Sequence, residues 1–372
     1  MLRIGYDAKR IFHNRTGLGN YGRDLVRIMA GHFPENQYIL YNPKKARSPL
    51  FEPGAHMIER RPSGLAYKMF PSLWRSRGIL KDLKKDQIDV YHGLSAELPV
   101  GISRSGIRSV VTVHDLIFIR FPHLYKAFDR WIYRKKLERA VSEADRIVAI
   151  SRQTRDDLVR FVKAPESKME VIYQGCHPVF KQAFTSGELE NYRQKAELPS
   201  GFLLQVGTIE PRKNALTVVR ALKDLPYHLV LVGRRTDYYA QIASFVREHR
   251  MEDRIHVLPH VSLEDLAKLY RLAKVSVYPS IFEGFGIPVI ESLYAGTPVI
   301  TNARGVFPEA AGPGGIYVED VTDVGEMQEK IRWSMENDLS EFARKGREYV
   351  RRFDDEVLAA QWMETYARLA GL

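Results

Sequence analysis

Short runs of aliphatic and β-branched residues alternate with longer stretches of helical spacing along nearly the whole chain. In the first half, residues 2–7, 38–41, 89–92, 109–114, 145–150 and 169–173 read as strands. Apolar positions three and four apart predict helices over 18–32 and 121–140. Ser151 has the character of an N-cap for another helix, with Asp156 and Asp157 nearby. Residues 56–85 are mixed, a short strand followed by a Lys- and Arg-rich helix. A break at 175–178 and a polar stretch over 181–200 introduce a second series. Its strands read as 202–206, 228–232, 255–258, 275–278 and 299–301, and its helices as 214–222, 237–249, 263–272 and 288–295. From Thr322 onward the chain reads as helical, with Asp354 at the start of the last helix. Strands separated by helices are βαβ units, which build parallel sheets. The pattern therefore predicts an α/β protein of two doubly wound, Rossmann-like domains, 1–178 and 179–353. Ligands of such sheets bind beyond the carboxyl ends of the strands, so two of them facing each other make a central cleft.

Composition narrows this picture. The chain has 372 residues and 45% hydrophobic content, enough for two sizeable cores. A single cysteine, Cys176, excludes an internal disulfide and a cysteine-built zinc site. No apolar run reaches the roughly 20 residues of a membrane span, and Met1–Arg10 lacks the apolar core of a signal peptide. These features predict a cytoplasmic protein, soluble or peripheral on the inner face of the cytoplasmic membrane. The formal charge of +11 suits acidic partners: phosphorylated small molecules, anionic lipid or nucleic acid. Many basic enzymes have no polyanionic partner, and no nucleic-acid recognition module is present.

The candidate chemistry lies at the ends of the predicted strands. Over 278–298, Glu283 and Glu291 bracket a glycine-rich turn, Gly284-Phe285-Gly286-Ile287, that runs into a helix with Pro288 expected at its first position. Open amides at a helix start attract anions, and the carboxylates suit hydroxyl groups, so a phosphate-bearing sugar ligand fits both. Residues 207–214, Gly-Thr-Ile-Glu-Pro-Arg-Lys-Asn, follow a strand, and Arg212 and Lys213 there read as a phosphate clamp. Two cations at a helix start oppose its dipole, a local cost that a bound anion would relieve. Solvated surface charge is the plain alternative.

Gly17, Gly19 and Gly22 form G-x-G-x-x-G. A dinucleotide fingerprint should follow its strand directly and meet an acidic residue at the end of the next one; here 8–16 intervene, and the second strand ends Tyr41-Asn42-Pro43. A glycine loop near a phosphate, or a simple helix cap, remains. His114 ends another strand, as a sugar-contacting or a structural histidine. Glu283 and Glu291 also match a glycosidase carboxylate pair, which spacing alone does not exclude, whereas no nearby His completes a metal site. Residues 60–85 carry eight Lys/Arg against one acid, with Tyr67, Phe70 and Trp74. Residues 120–139 carry seven against two, with Tyr125, Phe128, Trp131 and Tyr133. Both suit an anionic membrane surface, or are ordinary solvated faces.

These motifs together resemble the retaining glycosyltransferases of family 4, of GT-B fold, whose E-x7-E motif Glu283 and Glu291 match. The resemblance runs over the whole chain and implies that 354–372 forms a helix packed back on the first domain. It implies a retaining transfer of a hexose, mannose or glucose, from a GDP- or UDP-linked donor to a hydroxyl of a glycan or lipid-linked acceptor in cell-envelope polysaccharide synthesis, with no cofactor and no metal. Arg212 and Lys213 would then hold the donor diphosphate, with Gly19 approaching it. Gly17 and Gly207 belong to the matching loops. Glu283 with Gly284, Phe285, Gly286 and Ile287 would hold the donor sugar and phosphate, and Glu291 the ribose. His114 would contact the transferred sugar, and Gly233, His260 and Val261 would lie at the base. Domain closure would exclude water. Another sugar-nucleotide enzyme, an epimerase or phosphorylase, and a non-catalytic nucleotide-binding protein are the competing readings.

Overall fold

A computed structural model describes residues 1–46 and 48–372. The chain divides into two units, one made of Met1–Gly175 and Phe353–Leu372, the other of Cys176–Arg352. The dividing points thus lie at 175/176 and 352/353, not at the expected 178/179 and 353/354.

The first unit holds seven parallel strands in the order β3-β2-β1-β4-β5-β6-β7. These are β1 (Arg3–Asp7), β2 (Gln37–Tyr41), β3 (Met57–Arg60), β4 (Val90–Gly93), β5 (Arg108–Val113), β6 (Arg146–Ala149) and β7 (Met169–Val171). Central strands such as Val110 to Val113 are apolar on both faces, because helices cover both sides of a parallel sheet. One face packs Ile4, Tyr6, Leu25, Met29, Trp362 and Tyr366. The opposite face packs Trp74, Ile79, Leu83, Leu137 and Val141. The last helix, Asp355–Ala370, lies against the helix Gly17–His32, where Arg27 pairs with Asp355 at 2.8 Å.

The second unit holds six parallel strands in the order β10-β9-β8-β11-β12-β13. They are β8 (Leu203–Val206), β9 (Leu229–Val232), β10 (Ile255–Leu258), β11 (Val275–Tyr278), β12 (Val299–Asn302) and β13 (Gly315–Val318). The edge strand β13 was not expected from the pattern: four residues beginning with glycine, directly after Gly312-Pro313-Gly314, read as turn. The helix expected over 121–140 is two pieces, a 3₁₀ turn Pro122–Leu124 and the helix Ala127–Glu143.

In each sheet the chain leaves one strand in opposite directions. The reversal falls between β1 and β4 in the first unit and between β8 and β11 in the second. Such a switch point leaves a crevice outside the strand ends, because the flanking connections depart to opposite faces.

Candidate active site

The second unit's switch point carries Arg212 and Lys213. Gly207 follows β8 at φ 140°, and Gly233 follows β9 at φ 150°, conformations that favour glycine. A Cβ on Gly233 would meet the Gly207 carbonyl oxygen at 1.9 Å, so these two loops touch through bare backbone. Arg212 and Lys213 stand on a 3₁₀ turn, Pro211–Lys213, and not on an α-helix start; Asn214, at φ 56°, separates them from the helix Ala215–Ala221. The loop after β11 crosses the same point, and its Ile281 amide donates to the Arg212 carbonyl at 2.9 Å.

The two loops meet in an ion cluster. Glu283 Oε1 lies 2.6 Å from Arg212 Nη1 and 2.6 Å from Lys213 Nζ. Arg212 also donates to the Phe282 carbonyl at 2.7 Å and to Glu210 Oε1 at 2.6 Å. Lys213 also donates to the Tyr278 hydroxyl at 2.5 Å. Glu210, Arg212, Lys213 and Glu283 therefore balance to zero formal charge. The cost expected of two cations at a helix start is already relieved within the chain, by Glu210 and Glu283. Burial works to raise the Glu283 pKa, but Lys213 and Arg212 outweigh it and hold the carboxyl below its ordinary value. Burial likewise works against charge on Lys213, and Tyr278 and Glu283 reverse it, leaving the ammonium raised.

Beyond Glu283, Gly284 is half-buried and Phe285 buried. Gly286, at φ 116°, caps the helix Ile287–Tyr294, which makes Ile287 its first residue and Pro288 its second, one position later than expected. The first hydrogen bond of that turn runs from Val289 to the Gly286 carbonyl at 2.9 Å. The Gly286 and Ile287 amides precede it, as at any helix start. Glu291, one turn on, accepts from the Tyr270 hydroxyl at 3.0 Å. His260 and Val261 lie between β10 and the helix Leu263–Leu272, His260 exposed and Val261 half-buried.

His114, Gly17 and Gly19 belong to the first unit. A Cβ on Gly19 would meet the Asn14 carbonyl oxygen at 1.9 Å, so this glycine is required by its own loop. Gly17 opens the helix with nothing within 4 Å of the same construction. His114 ends β5 with both nitrogens engaged. Nε2 is 2.9 Å from the Leu94 carbonyl, which only accepts, so this nitrogen carries the proton; Nδ1 accepts from Gln174 at 3.1 Å. Burial pushes its pKa down to about 4, and the ring is neutral at physiological pH. His92 sits deeper, between the Thr112 hydroxyl and the Tyr366 hydroxyl, each at 2.7 Å.

Sequence reading passed over Tyr278 and Tyr270 as partners of the charged groups. Tyr278 was visible as the residue opening the glutamate stretch. Tyr270, 21 positions from Glu291, gave no local signal. Trp74, expected on a membrane-facing surface, is buried and donates to Asp82 at 2.6 Å. Phe128 and Trp131 are exposed, at 70% and 59%. No helix among the described residues is long and apolar enough to cross a membrane.

Comparison with known proteins gives two family matches that divide the chain. The family described as Glycosyltransferase Family 4 matches residues 17–179, and Glycosyl transferases group 1 matches residues 189–353. The O-antigen chain mannosyltransferase B of Escherichia coli is 28% identical over 358 residues, covering 91% of each chain. The O-antigen chain mannosyltransferase RfbU of Salmonella typhimurium is 30% identical over 210 residues, 56% of each chain. The solved sucrose-phosphate synthase of Thermosynechococcus elongatus superposes with a TM-score of 0.78 at 22% identity, covering 99% of each chain.

Proposed function

We propose, from the premise that the chain belongs to the family 4 glycosyltransferases, that it moves a mannosyl or glucosyl group from a GDP- or UDP-hexose to a glycan or lipid-linked hydroxyl in cell-envelope polysaccharide synthesis. The O-antigen mannosyltransferases among its relatives favour mannose and that setting. The observation that carries the reading is the Arg212–Lys213–Glu283 cluster at the switch point of the second sheet. A donor diphosphate entering there takes over Arg212 and Lys213 and frees Glu283. That carboxylate, ionised at neutral pH, then accepts from the hydroxyls of the donor sugar. Arg212, Lys213 and the amides of Gly286 and Ile287 stabilise the charge that develops on the departing diphosphate. Glu291, beside Tyr270, takes the ribose hydroxyls. The acceptor attacks on the face the phosphate leaves, the phosphate takes its proton, and the anomeric configuration is retained. The depressed Glu283 carboxyl argues against a glycosidase acid, which needs a raised pKa. The exposed Phe128 and Trp131, set among basic residues, bind an anionic membrane surface.

Calorimetry tests the donor site. Replacing Arg212 and Lys213 by Ala is expected to weaken GDP or UDP binding by about 3 kcal/mol, since each charge-assisted contact is worth roughly 1.5–3 and part of it is already spent on Glu283. Unchanged affinity removes the assignment. Nucleoside diphosphate release that does not depend on an added acceptor removes the transferase reading, and the anomeric NMR coupling of the product decides retention.

A further inference from the structure

The first unit's switch point holds a cavity of about 370 Å³ that sequence reading did not single out. It opens where β1 ends at Asp7 and where the chain leaves β4, and Lys9, Arg75, Glu97, Lys136 and Arg139 line it with Asp7. Its charges do not balance. Both carboxylates are consumed by two of the four cations. Arg75 Nε donates to both Asp7 oxygens at 3.0 Å, and the same guanidinium pairs with Glu97. Lys136 takes the other Glu97 oxygen at 3.2 Å. Lys9 and Arg139 have no ion-pair partner among the described residues, so the lining carries a formal excess of two positive charges. Burial and the neighbouring Arg75 both work against the charge on Lys9, a cost that an anion in the cavity would remove.

The surroundings say what else such a ligand carries. Arg139 lies on the helix Ala127–Glu143. Phe128, Trp131, Lys135 and Arg139 follow one another by three, four and four residues, which places them on one stripe of that helix. From the cavity outward the stripe leads to Trp131 and Phe128, both exposed. Ser72, which also lines the cavity, precedes Leu73, 47% exposed, and lies two positions after Phe70, 61% exposed. A charged cavity from which a helix stripe leads to exposed apolar side chains suits an amphiphile with its anionic group inside.

We propose that this cavity is a phosphate-ester subsite for the acceptor, in which Lys9 and Arg139 bind the phosphate and Arg75, fixed by Asp7 and Glu97, holds the wall. The inference rests on the glycosyltransferase reading for the word acceptor, while the binding of a phosphate ester stands on the cavity itself. Two sources share this chemistry, an isoprenoid phosphate and a phosphorylated sugar, and the exposed Trp131 and Phe128 further along the Arg139 helix favour the first.

The test uses the chain with Arg212→Gln and Lys213→Gln in place, amides that still donate to the buried Glu283, so that phosphate probes do not enter the donor site and the fold is retained, as the melting temperature checks. Geranyl phosphate and mannose 6-phosphate are titrated by calorimetry into this background and into the same background carrying Lys9→Gln and Arg139→Gln. Neither substitution leaves a buried carboxylate unpaired, so the melting temperature is expected to hold. At least one probe should bind and lose about 10- to 100-fold in affinity on the second pair of substitutions, as expected for charge-assisted contacts. Loss for geranyl phosphate alone identifies a lipid phosphate, and loss for mannose 6-phosphate alone or for both identifies a phosphate site that reads no lipid. Failure of both probes to bind, or affinities unmoved by Lys9→Gln and Arg139→Gln, overturns the proposal. The donor reading fails separately, by absence of GDP and UDP binding to the unaltered protein.

Discussion

The two switch points share a topology and differ in how they hold charge. In the second unit, two cations and two carboxylates close on one another, and Glu283 bridges Arg212 and Lys213 through a single oxygen. In the first unit, the carboxylates Asp7 and Glu97 are engaged by Arg75 and Lys136, and Lys9 and Arg139 are left over. The sheet fixes where a ligand can sit in both. The loops after the strands decide whether the waiting charge is cancelled or exposed. Under the proposed reading, a cancelled cluster exchanges partners when its ligand arrives and frees its carboxylate, whereas an unbalanced cavity attracts its anion directly. The difference then separates a site with chemistry to perform from a site that holds.

The sharpest way to break this contrast is Glu283→Gln. If Glu283 serves only to neutralise the clamp, the amide should leave turnover intact. If it also receives the sugar hydroxyls, turnover should fall by about 100- to 1000-fold, in the range of lost transition-state contacts to a charged group. Nucleotide affinity should meanwhile hold or rise, because Arg212 and Lys213 lose their internal competitor. Steady-state kinetics together with GDP or UDP calorimetry reads both. Weaker nucleotide binding with preserved turnover would be the opposite result and would sink the partner exchange.

Glycines sharpen the comparison at a smaller scale. Gly233→Ala places a methyl group 1.9 Å from the Gly207 carbonyl at a φ of 150°, so backbone must move. A loss of about 2 kcal/mol or more in unfolding free energy is expected, accompanied by loss of nucleotide binding. Gly17→Ala, in the helical first turn of Gly17–His32, meets nothing and should be neutral or slightly stabilising. Denaturant unfolding of both variants checks the pair. Equal effects would mean that Gly17 carries the same constraint as Gly233, contrary to the geometry.

The units also differ in their response to acid. Burial drives His92 down to about 3 and His114 down to about 4, against roughly 6.5 in an unfolded chain. Between those values the unfolded chain binds protons that the folded unit does not, so stability falls as pH falls from about 6.5, by on the order of 3 kcal/mol for each ring at pH 4. Glu283 has the same sign over a lower pH range. Its depressed pKa gives stability that is present above the ordinary carboxyl range and is lost only as pH drops through the lowered value. Hydrogen exchange should show the first unit losing protection before the second. His92→Asn should flatten that acid limb; a limb unchanged in shape would contradict the assignment.

Both sheets were legible in the chain because buried parallel strands are nearly continuous apolar runs, and such runs need no partner to be recognised. The exception is instructive: β13, as short as its neighbours, begins on a glycine directly after Gly312-Pro313-Gly314 and so merges with the turn before it. The glutamate and glycine motifs were legible because each is local. The link between Glu283 and Lys213 was not, since the two are 70 positions apart in sequence and meet only because β8 and β11 are neighbours. The first-unit cavity was hidden for the same reason, since Asp7, Arg75, Glu97 and Arg139 come from four separate stretches. Trp74 shows the remaining limit: an aromatic among lysines and arginines has the same pattern whether it faces the core or the solvent, and here Asp82 and the core claim it.

The smallest expected effect concerns the aromatics that the core does not claim. Phe128 and Trp131 stack at 6.2 Å between centroids while remaining largely exposed. Partial burial of each in a lipid interface is worth about 1 kcal/mol, so Phe128→Ser with Trp131→Ser should reduce affinity for vesicles containing anionic lipid, read by co-sedimentation, by about 30-fold. Neither side chain supports the fold, so the melting temperature should hold. Binding that falls equally when salt is raised but is indifferent to the two serines would assign the attachment to the lysines and arginines alone. In that case the helix stripe leading from the first-unit cavity acts as a charged surface without an apolar component, and the contrast between the two switch points reduces to charge.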